Sequence, residues 1–280
     1  MTTIADPAVA PDTGVTPDTG VTPDTADTDV AATATVAAEA TDERPPASSA
    51  APGSCVAVPV PAGAIPILAG DAPLWLLPAG AAYDPATRAL LVADLHLGKA
   101  ECFGRGGLPV PLAVNDDTLE RLEALWRGLP AERLIVLGDL MHGPLPESDP
   151  LFERLRARLG RAPLPIALVA GNHDRQSARY ADLLGIEVLA EPVRLGPFGL
   201  RHEPVPQPGL TVLAGHLHPV VRLSGRADSV RLPCFWVRDS IVVLPAFGAF
   251  TGGWVVPARA GERRFVTDAR RVLEVPSPRT

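Results

Sequence analysis

Four short apolar runs in this chain each stop on the same kind of polar cluster, and that recurrence limits what it can fold into. Ile166–Val169, bounded by Pro165 and followed by Ala170-Gly171, reads as a buried strand and runs into Asn172-His173-Asp174. Ala89–Ala93 runs into Asp94-Leu95-His96, and residues 134–137 run into Gly138-Asp139-Leu140-Met141-His142. Residues 210–214 run into Gly215-His216-Leu217-His218, and His202 follows Phe198-Gly199-Leu200-Arg201. All six histidines therefore lie at or near the ends of apolar strands. Open α/β sheets bind ligands at the carboxyl ends of their strands. The pattern predicts one site gathered from distant parts of one domain.

The segments between these runs supply the rest of the architecture. Residues 74–77 and Ala89–Ala93 read as two strands joined by a turn at Tyr83-Asp84-Pro85-Ala86-Thr87. Residues 97–111, with Gly98, Gly104, Gly106, Gly107, Pro109 and Pro111, read as a loop over the ligands. Leu119, Leu122 and Leu125-Trp126 recur at helical spacing, which predicts a helix over 116–129 capped by Asn115 or Asp116. A second helix is expected over 149–159 and a shorter third over Ser177–Leu184. From Ile186 to about Val275 the pattern changes to short strands with Gly/Pro turns. Two packed sheets with helices outside would hold both halves in one α/β domain.

The first 62 residues do not belong to that pattern. Residues 11–28 repeat PDTGVT, PDTGVT, PDTADT, and Ala, Thr, Pro and Ser dominate as far as Pro61. Of the chain's 32 acids and 25 basic residues, nine acids and Arg44 alone fall here, leaving 23 acids and 24 basic residues beyond. So acidic and poor in large apolar side chains, residues 1–62 are expected to be disordered. The folded body is expected over 63–275, with a short C-terminal tail at 276–280. The body's balance of about one positive charge gives it no strong field toward a polyanion.

Met1–Asp6 shows neither the basic start nor the apolar core of a secretory signal. Residues 241–258 form an uncharged run, but Pro245, Gly248, Gly252, Gly253 and Pro257 divide it into pieces that suit strands better than a spanning helix. Cys55, Cys102 and Cys234 are scattered, which argues against a disulfide framework and against a thiolate zinc site. The expected location is cytoplasmic.

An isolated histidine beside an apolar strand is ordinarily a hydrogen-bonded structural residue. Repetition changes that reading. Carboxylate, amide and imidazole groups without thiolate suit divalent Mn²⁺, Fe²⁺ or Zn²⁺. Asp94, His96, Asp139, Asn172, His202, His216 and His218 are too many ligands for one ion and about right for two, the device used for displacement at phosphorus.

In order, D-x-H, G-D-x-x-H, G-N-H-D, a lone His and G-H-x-H resemble the calcineurin-like metallophosphoesterase superfamily, across roughly residues 72–257. Residues 92–99 (VADLHLGK), 201–204 (RHEP), 214–219 (AGHLHP) and 244–253 (LPAFGAFTGG) resemble more closely the ligase-associated DNA damage response endonuclease (PdeM) family, related to the SbcD nucleases. The resemblance implies a four-layer αββα sandwich and two divalent ions, Mn²⁺ first among them. It implies that Asp94, His96 and His218 hold one ion, that Asn172, His202 and His216 hold the other, and that Asp139 bridges both. It further implies that His173 faces the phosphate as an acid or electrostatic stabiliser. In protein-phosphatase relatives the second motif is G-D-x-x-D-R-G. Here His142 stands at the Asp position and Gly143 at the Arg position, which matches the nuclease branch and puts a phosphoprotein substrate in doubt.

Other residues carry less. Lys99, the chain's single lysine, and Arg105 could grip phosphate from the loop, or could be two solvated cations. Asp174 reads as the cap of the following helix, and Cys102 as ordinary packing. Arg154, Arg156, Arg158 and Arg161 read as a solvated helix face. Phe247–Gly253 reads as a tight inter-strand turn. The expected function is a dinuclear-metal phosphodiesterase acting as a DNA endonuclease on single-stranded or branched DNA. The resemblance implies DNA ligase, helicase and exonuclease partners in repair. A small-molecule (nucleotide or pyrophosphate) phosphodiesterase and a non-catalytic metal-binding scaffold remain the alternatives, since one metal centre serves all three.

Overall fold

Side chains alternate faces along a strand, so a strand buried on both sides needs apolar residues at every position. Strand β4 (Ala89–Ala93), β5 (Arg133–Leu137) after its exposed first residue, and β6 (Ile166–Val169) meet that requirement. Leu90, Val92, Leu134, Val136, Ile166 and Leu168 pack on one side in a cluster with helix residues. Leu91, Ala93, Ile135, Leu137 and Val169 pack on the other with Leu213, Phe235, Val242 and Phe265 of a second sheet. These strands are thus the middle of a layered structure. The computed structural model describes residues 59–108, 111, 113–170, 177–225, 228–249 and 251–277.

The first sheet runs in chain order, from β1 (Ile65–Ala69), β2 (Ala72–Leu76) and β3 (Ala82–Asp84) through β4, β5 and β6 to β7 (Glu187–Leu189). Pairing is antiparallel from β1 to β4 and parallel from β4 to β7. Helices α1 (Lys99–Arg105), α2 (Ala113–Gly128), α3 (Pro150–Leu159) and α4 (Ser177–Leu184) lie in the connections of this half. Leu119, Leu122 and Trp126 of α2, Leu151, Phe152, Leu155 and Leu159 of α3, and Tyr180, Ala181 and Leu184 of α4 all pack into the first sheet's outer cluster. Asp149 caps α3 by accepting the Leu151 N–H, and Pro150 follows at the position where its missing N–H costs nothing.

The second sheet holds β8 (Val193–Leu195), β9 (Phe198–Leu200), β10 (Thr211–Ala214), β11 (Pro219–Ser224), β12 (Ser229–Arg238), β13 (Ile241–Val243) and β14 (Trp254–Val255). Its order is β14-β11-β12-β13-β10-β9-β8, with β15 (Arg263–Thr267) beside β12 and β16 (Val272–Val275) beside β15. The two sheets face each other across the second cluster, as expected for a metallophosphoesterase sandwich. Among the described residues no helix follows Leu184. The outer side of the second sheet is closed by its own cluster, which includes Cys234, Trp236, Val243 and Val256. No described helix is long and apolar enough to cross a membrane, and the 241–258 run is divided between β13 and β14 as expected.

Four local expectations need correction. Residues 97–111 are not one loop: Lys99–Arg105 is helical, begun by Gly98 at φ 78° and ended at Gly106. Its glycines are punctuation at the two ends rather than a sign of loop throughout. Asn115 does not cap α2 but sits inside its first turn, where its side chain accepts the Gly98 N–H and donates to Glu101. Tyr83 and Asp84 belong to strand β3, because Tyr83 is fully buried and pairs with Leu90. Of the four arginines expected on a solvated face, Arg156 and Arg161 are exposed, but Arg154 and Arg158 are not free of the body. Arg154 pairs with Glu101 and Asp116, and Arg158 with Glu123 and Asp116, so they tie α3 to α1 and α2. Residues 1–58, and with them most of the acidic tail, lie outside the described residues.

Candidate metal centre

The ends of β4, β5, β9 and β10 meet at one place. Immediately after β4, the backbone of Asp94 turns to φ 52° and that of His96 to φ 47°. After β5, Asp139 has φ 43°; after β10, His216 has φ 72° and His218 φ 47°. The left-handed region costs an L-residue roughly 1–2 kcal/mol. Among the described residues only Arg88, Asp239 and Ala269 share it outside glycine. Strain of this kind persists where the surroundings over-determine it, and five of its eight instances fall on residues the sequence singled out as ligands.

The surroundings are backbone hydrogen bonds between the turns. His96 N donates to Asp139 O at 2.9 Å, Leu97 N to Leu140 O at 2.9 Å, and His142 N to Leu97 O at 2.9 Å. Gly248 N donates to Asp94 O at 3.1 Å and Phe247 N to Ala93 O at 2.8 Å, so the 245–249 segment buttresses the first turn. It is a packed support as well as a turn, for Phe247 is 1% exposed. His202 is held through its N–H by Glu191, which also pairs with Arg201 at 3.0 Å.

Inside this frame Asp94, His96, Asp139 and His202 are all buried. His96 Nε2 lies 3.1 Å from His218 Nε2, and His202 Nε2 lies 3.0 Å from His216 Nδ1. Asp139 stands between the two imidazole pairs, with Oδ2 at 3.8 Å from His96 Nε2 and Oδ1 at 3.7 Å from His202 Nε2. Asp94 Oδ2 lies 3.7 Å from His218 Nε2 and accepts the His216 N–H at 2.8 Å. The carbonyl of Leu137, 3.3 Å from His202 Nδ1, can only accept. That contact places the proton on Nδ1 and leaves the Nε2 lone pair facing the centre.

The residues fit divalent ions. Asp94 Oδ1 is buried without a hydrogen bond among the described residues. Buried carboxylates need a compensating charge, and among the described residues the ion-pair partners of Asp94 are His202 and His218. Asp94, His96 and His218 offer ligand atoms within 4.8 Å of one another, and so do Asp94, Asp139 and His202. Oxygen and imidazole donors without thiolate remain the chemistry of Mn²⁺, Fe²⁺ or Zn²⁺.

Close approach explains two glycines. A Cβ on Gly138 would lie 1.8 Å from His202 Nδ1, and one on Gly215 would lie 2.6 Å from Asp94 Oδ2. The G-D and G-H pairs of the sequence are thus part of the site, and the glycine in each is what lets a ligand from another strand come close. Nothing local to either motif announces its partner.

The remaining candidates divide. His142 is half-buried beside His96, ring centroids 5.5 Å apart, with Phe103 of α1 on another side at 5.6 Å. Lys99 opens α1 with Nζ 5.7 Å from the Phe103 ring, and burial lowers the pKa of its ammonium. Arg105, at the far end of α1, lies 3.9 Å from Asp149. Burial raises the Cys102 thiol and pushes that of Cys234 up to about 12, which suits packing roles. Asn172, His173 and Asp174 lie outside the described residues.

Residues 87–220 match the model of the calcineurin-like phosphoesterase family. Among solved structures, the nuclease MPE of Pseudomonas putida is 39% identical, with a TM-score of 0.66 over 76% of this chain and 100% of that one. The chain belongs to the calcineurin-like phosphoesterase family. It is therefore a metallophosphoesterase, a hydrolase of a family that uses a dinuclear metal centre, with a close structural likeness to a nuclease. The protein of unknown function AQ665 from Aquifex aeolicus is 15% identical, with a TM-score of 0.34 over 50% of this chain and 81% of that one, too distant to carry an argument. No curated protein matches the chain.

Proposed function

We propose that this phosphoesterase is a phosphodiesterase that cuts DNA internally, as an endonuclease, on single-stranded or branched substrates. The observation that carries the reading is the arrangement of two imidazole pairs around Asp139. Asp94, His96 and His218 would hold one divalent ion, and Asn172, His202 and His216 the other, with Asp139 shared. When bound, such ions supply Lewis acidity toward a phosphoryl group and activate water at neutral pH.

The chain's own side chains do the rest. Asp139 and Asp94 fix the spacing and neutralise the centre. His173 gives a proton to the leaving oxygen or stabilises its charge. His142, in the place of a phosphatase carboxylate, orients His173. Likeness to a nuclease supports DNA as substrate, and Mn²⁺ is the metal we favour. Action in DNA repair with a ligase-associated system, with helicase and exonuclease partners, follows from the closer sequence resemblance.

A body of about one net positive charge attracts long duplexes weakly, so cleavage should favour flexible strands and fall steeply with salt. The test is a panel with purified protein and Mn²⁺: single-stranded and branched DNA, blunt duplex, bis-p-nitrophenyl phosphate, cyclic nucleotides and a phosphopeptide. Asp139→Asn protein controls for contaminating nucleases. Turnover confined to cyclic nucleotides or nucleoside diphosphate conjugates would replace DNA with a small-molecule substrate. No turnover with both metals in place would make the protein a scaffold.

A further inference from the structure

Beyond His218 the chain does not return directly to the core. β11 and β12 pair from Val220↔Pro233 to Ser224↔Ser229, whereas β12 meets β13 only from Trp236↔Val243 to Arg238↔Ile241. β15 reaches no further along β12 than Cys234. The turn-side half of the β11–β12 hairpin therefore overhangs the carboxyl ends of β10 and β13, at the end of the sheet that carries His216 and His218. At about 3.3 Å per residue, Arg222 lies ~13 Å along the strand from His218.

On this overhang Arg222 and Arg231 stand directly opposite each other. Opposed residues of an antiparallel pair share a face, and like charges there destabilise the pairing. By the two-residue period this is the face of β12 that carries Phe235, the side turned toward the first sheet in the body. Both arginines are exposed, and neither is in an ion pair among the described residues. Arg222 donates to the Ser229 hydroxyl at 3.2 and 3.0 Å, which orients its guanidinium without neutralising it. Asp228, the nearest acid in sequence, lies in the turn, where its carbonyl accepts the Gly225 N–H at 2.8 Å, and among the described residues it pairs with neither arginine.

We infer that Arg222 and Arg231 form a second phosphate contact, which takes a backbone phosphate of the nucleic-acid strand further along from the one at the metal centre. A phosphodiester between the two guanidinium groups removes their repulsion and accepts from both. Contacts of this kind set the position of a strand and carry no sequence information. The inference rests on the nuclease reading and adds to it where the strand leaves the site.

The test compares the full chain with its Arg222→Ala/Arg231→Ala variant, both with Mn²⁺, on single-stranded oligonucleotides and on bis-p-nitrophenyl phosphate. The small diester cannot reach ~13 Å from the metal centre, so its kcat/KM should stay within about twofold. KM for a long oligonucleotide should rise about tenfold at low salt, the worth of one charge-assisted contact. The log–log salt slope should fall by about 0.7, one single-strand phosphate. The melting temperature should hold or rise, because a like-charge pair is gone. An Arg222→Lys/Arg231→Lys variant should keep the slope. If the wild type cuts DNA and the double alanine variant has the same KM and slope, the contact is not there. Equal losses on both substrates would make the hairpin part of the metal centre and overturn the assignment. A wild type that hydrolyses the small diester and leaves all DNA intact would instead remove the nuclease reading itself.

Discussion

The two sides of the metal centre are built differently. The floor, made of Asp94, His96, Asp139 and His202, is buried, and its turns are laced by backbone hydrogen bonds between β4, β5 and the 245–249 segment. The rim, made of His216 and His218, is half-buried and leads straight into a hairpin that projects from the sheet. Both carry left-handed backbone. On the floor that strain is held by neighbours on every side. On the rim, His216 is tied by its N–H to Asp94, and the His218 carbonyl accepts from Trp254. The floor is suited to fixing ions, and the rim to meeting what the ions act upon.

The most severe way to break this contrast is at the shared carboxylate. Asp139→Asn should reduce DNA cleavage to background and lower bound metal below that of any variant of a one-ion ligand such as His218→Asn. Metal analysis of purified protein alongside turnover checks it. A fully loaded, active Asp139→Asn protein would sink the two-ion assignment.

Chemistry should separate from metal binding at the next position. His173→Ala should keep both ions while turnover falls by about 10²–10⁴, the usual cost of losing a general acid. His142→Ala should give a similar but milder loss, as expected of a residue that orients His173, and no loss would make it a loop residue. Retained turnover in His173→Ala would make His173 structural.

A smaller effect should come from a residue with no ligand atom at all. Gly138→Ala places a methyl group on the His202 ring and an L-residue at φ 76°. It should weaken metal binding about 10–100-fold, the range seen when a ligand's support is disturbed, and lower the melting temperature. Gly185→Ala, also at positive φ but with nothing near its Cβ, supplies the control for backbone strain alone. Equal metal affinity in the two variants would mean that close packing beneath His202 does not matter.

What the sequence disclosed follows the same division. Continuous apolar runs at β4, β5 and β6 were legible because burial on both faces leaves one kind of residue at each position. The face of α3 was legible because Leu151, Phe152, Leu155 and Leu159 keep helical spacing. α1 was not, since its seven residues are set by distant contacts: Asn115 on the Gly98 N–H, and Arg154 on Glu101. Left-handed φ at Asp94, His96 and Asp139 has no local signature either, because glycine would be the usual sign and ligand chemistry forbids it there. Arg222 and Arg231 become a pair only through strand register, nine residues apart in the chain.

The smallest effect is expected furthest from the centre. Residues 1–62 contribute nine acids, one arginine and few large apolar side chains, a composition expected to add nothing to the core. Gly63 is tied to the body by contacts that a truncation at 62 would leave in place. Its carbonyl accepts the Val272 N–H at 2.8 Å, and a Cβ there would lie 2.2 Å from Arg270 O. Removing 1–62 takes away the acceptor of the Ala64 N–H, Pro61 O at 3.1 Å, and keeps Gly63. One exposed turn bond is worth about 0.5–1.5 kcal/mol at most, so the melting temperature should move little. Cleavage of DNA at low salt should be equal or faster without those acids, and the difference should vanish as salt screens them. Deleting Gly63 and Ala64 as well should lower the melting temperature clearly, by uncoupling β1 from the 270–272 turn. If the shorter deletion alone abolished cooperative unfolding, residues 1–62 would be part of the fold and the boundary at 63 would be wrong.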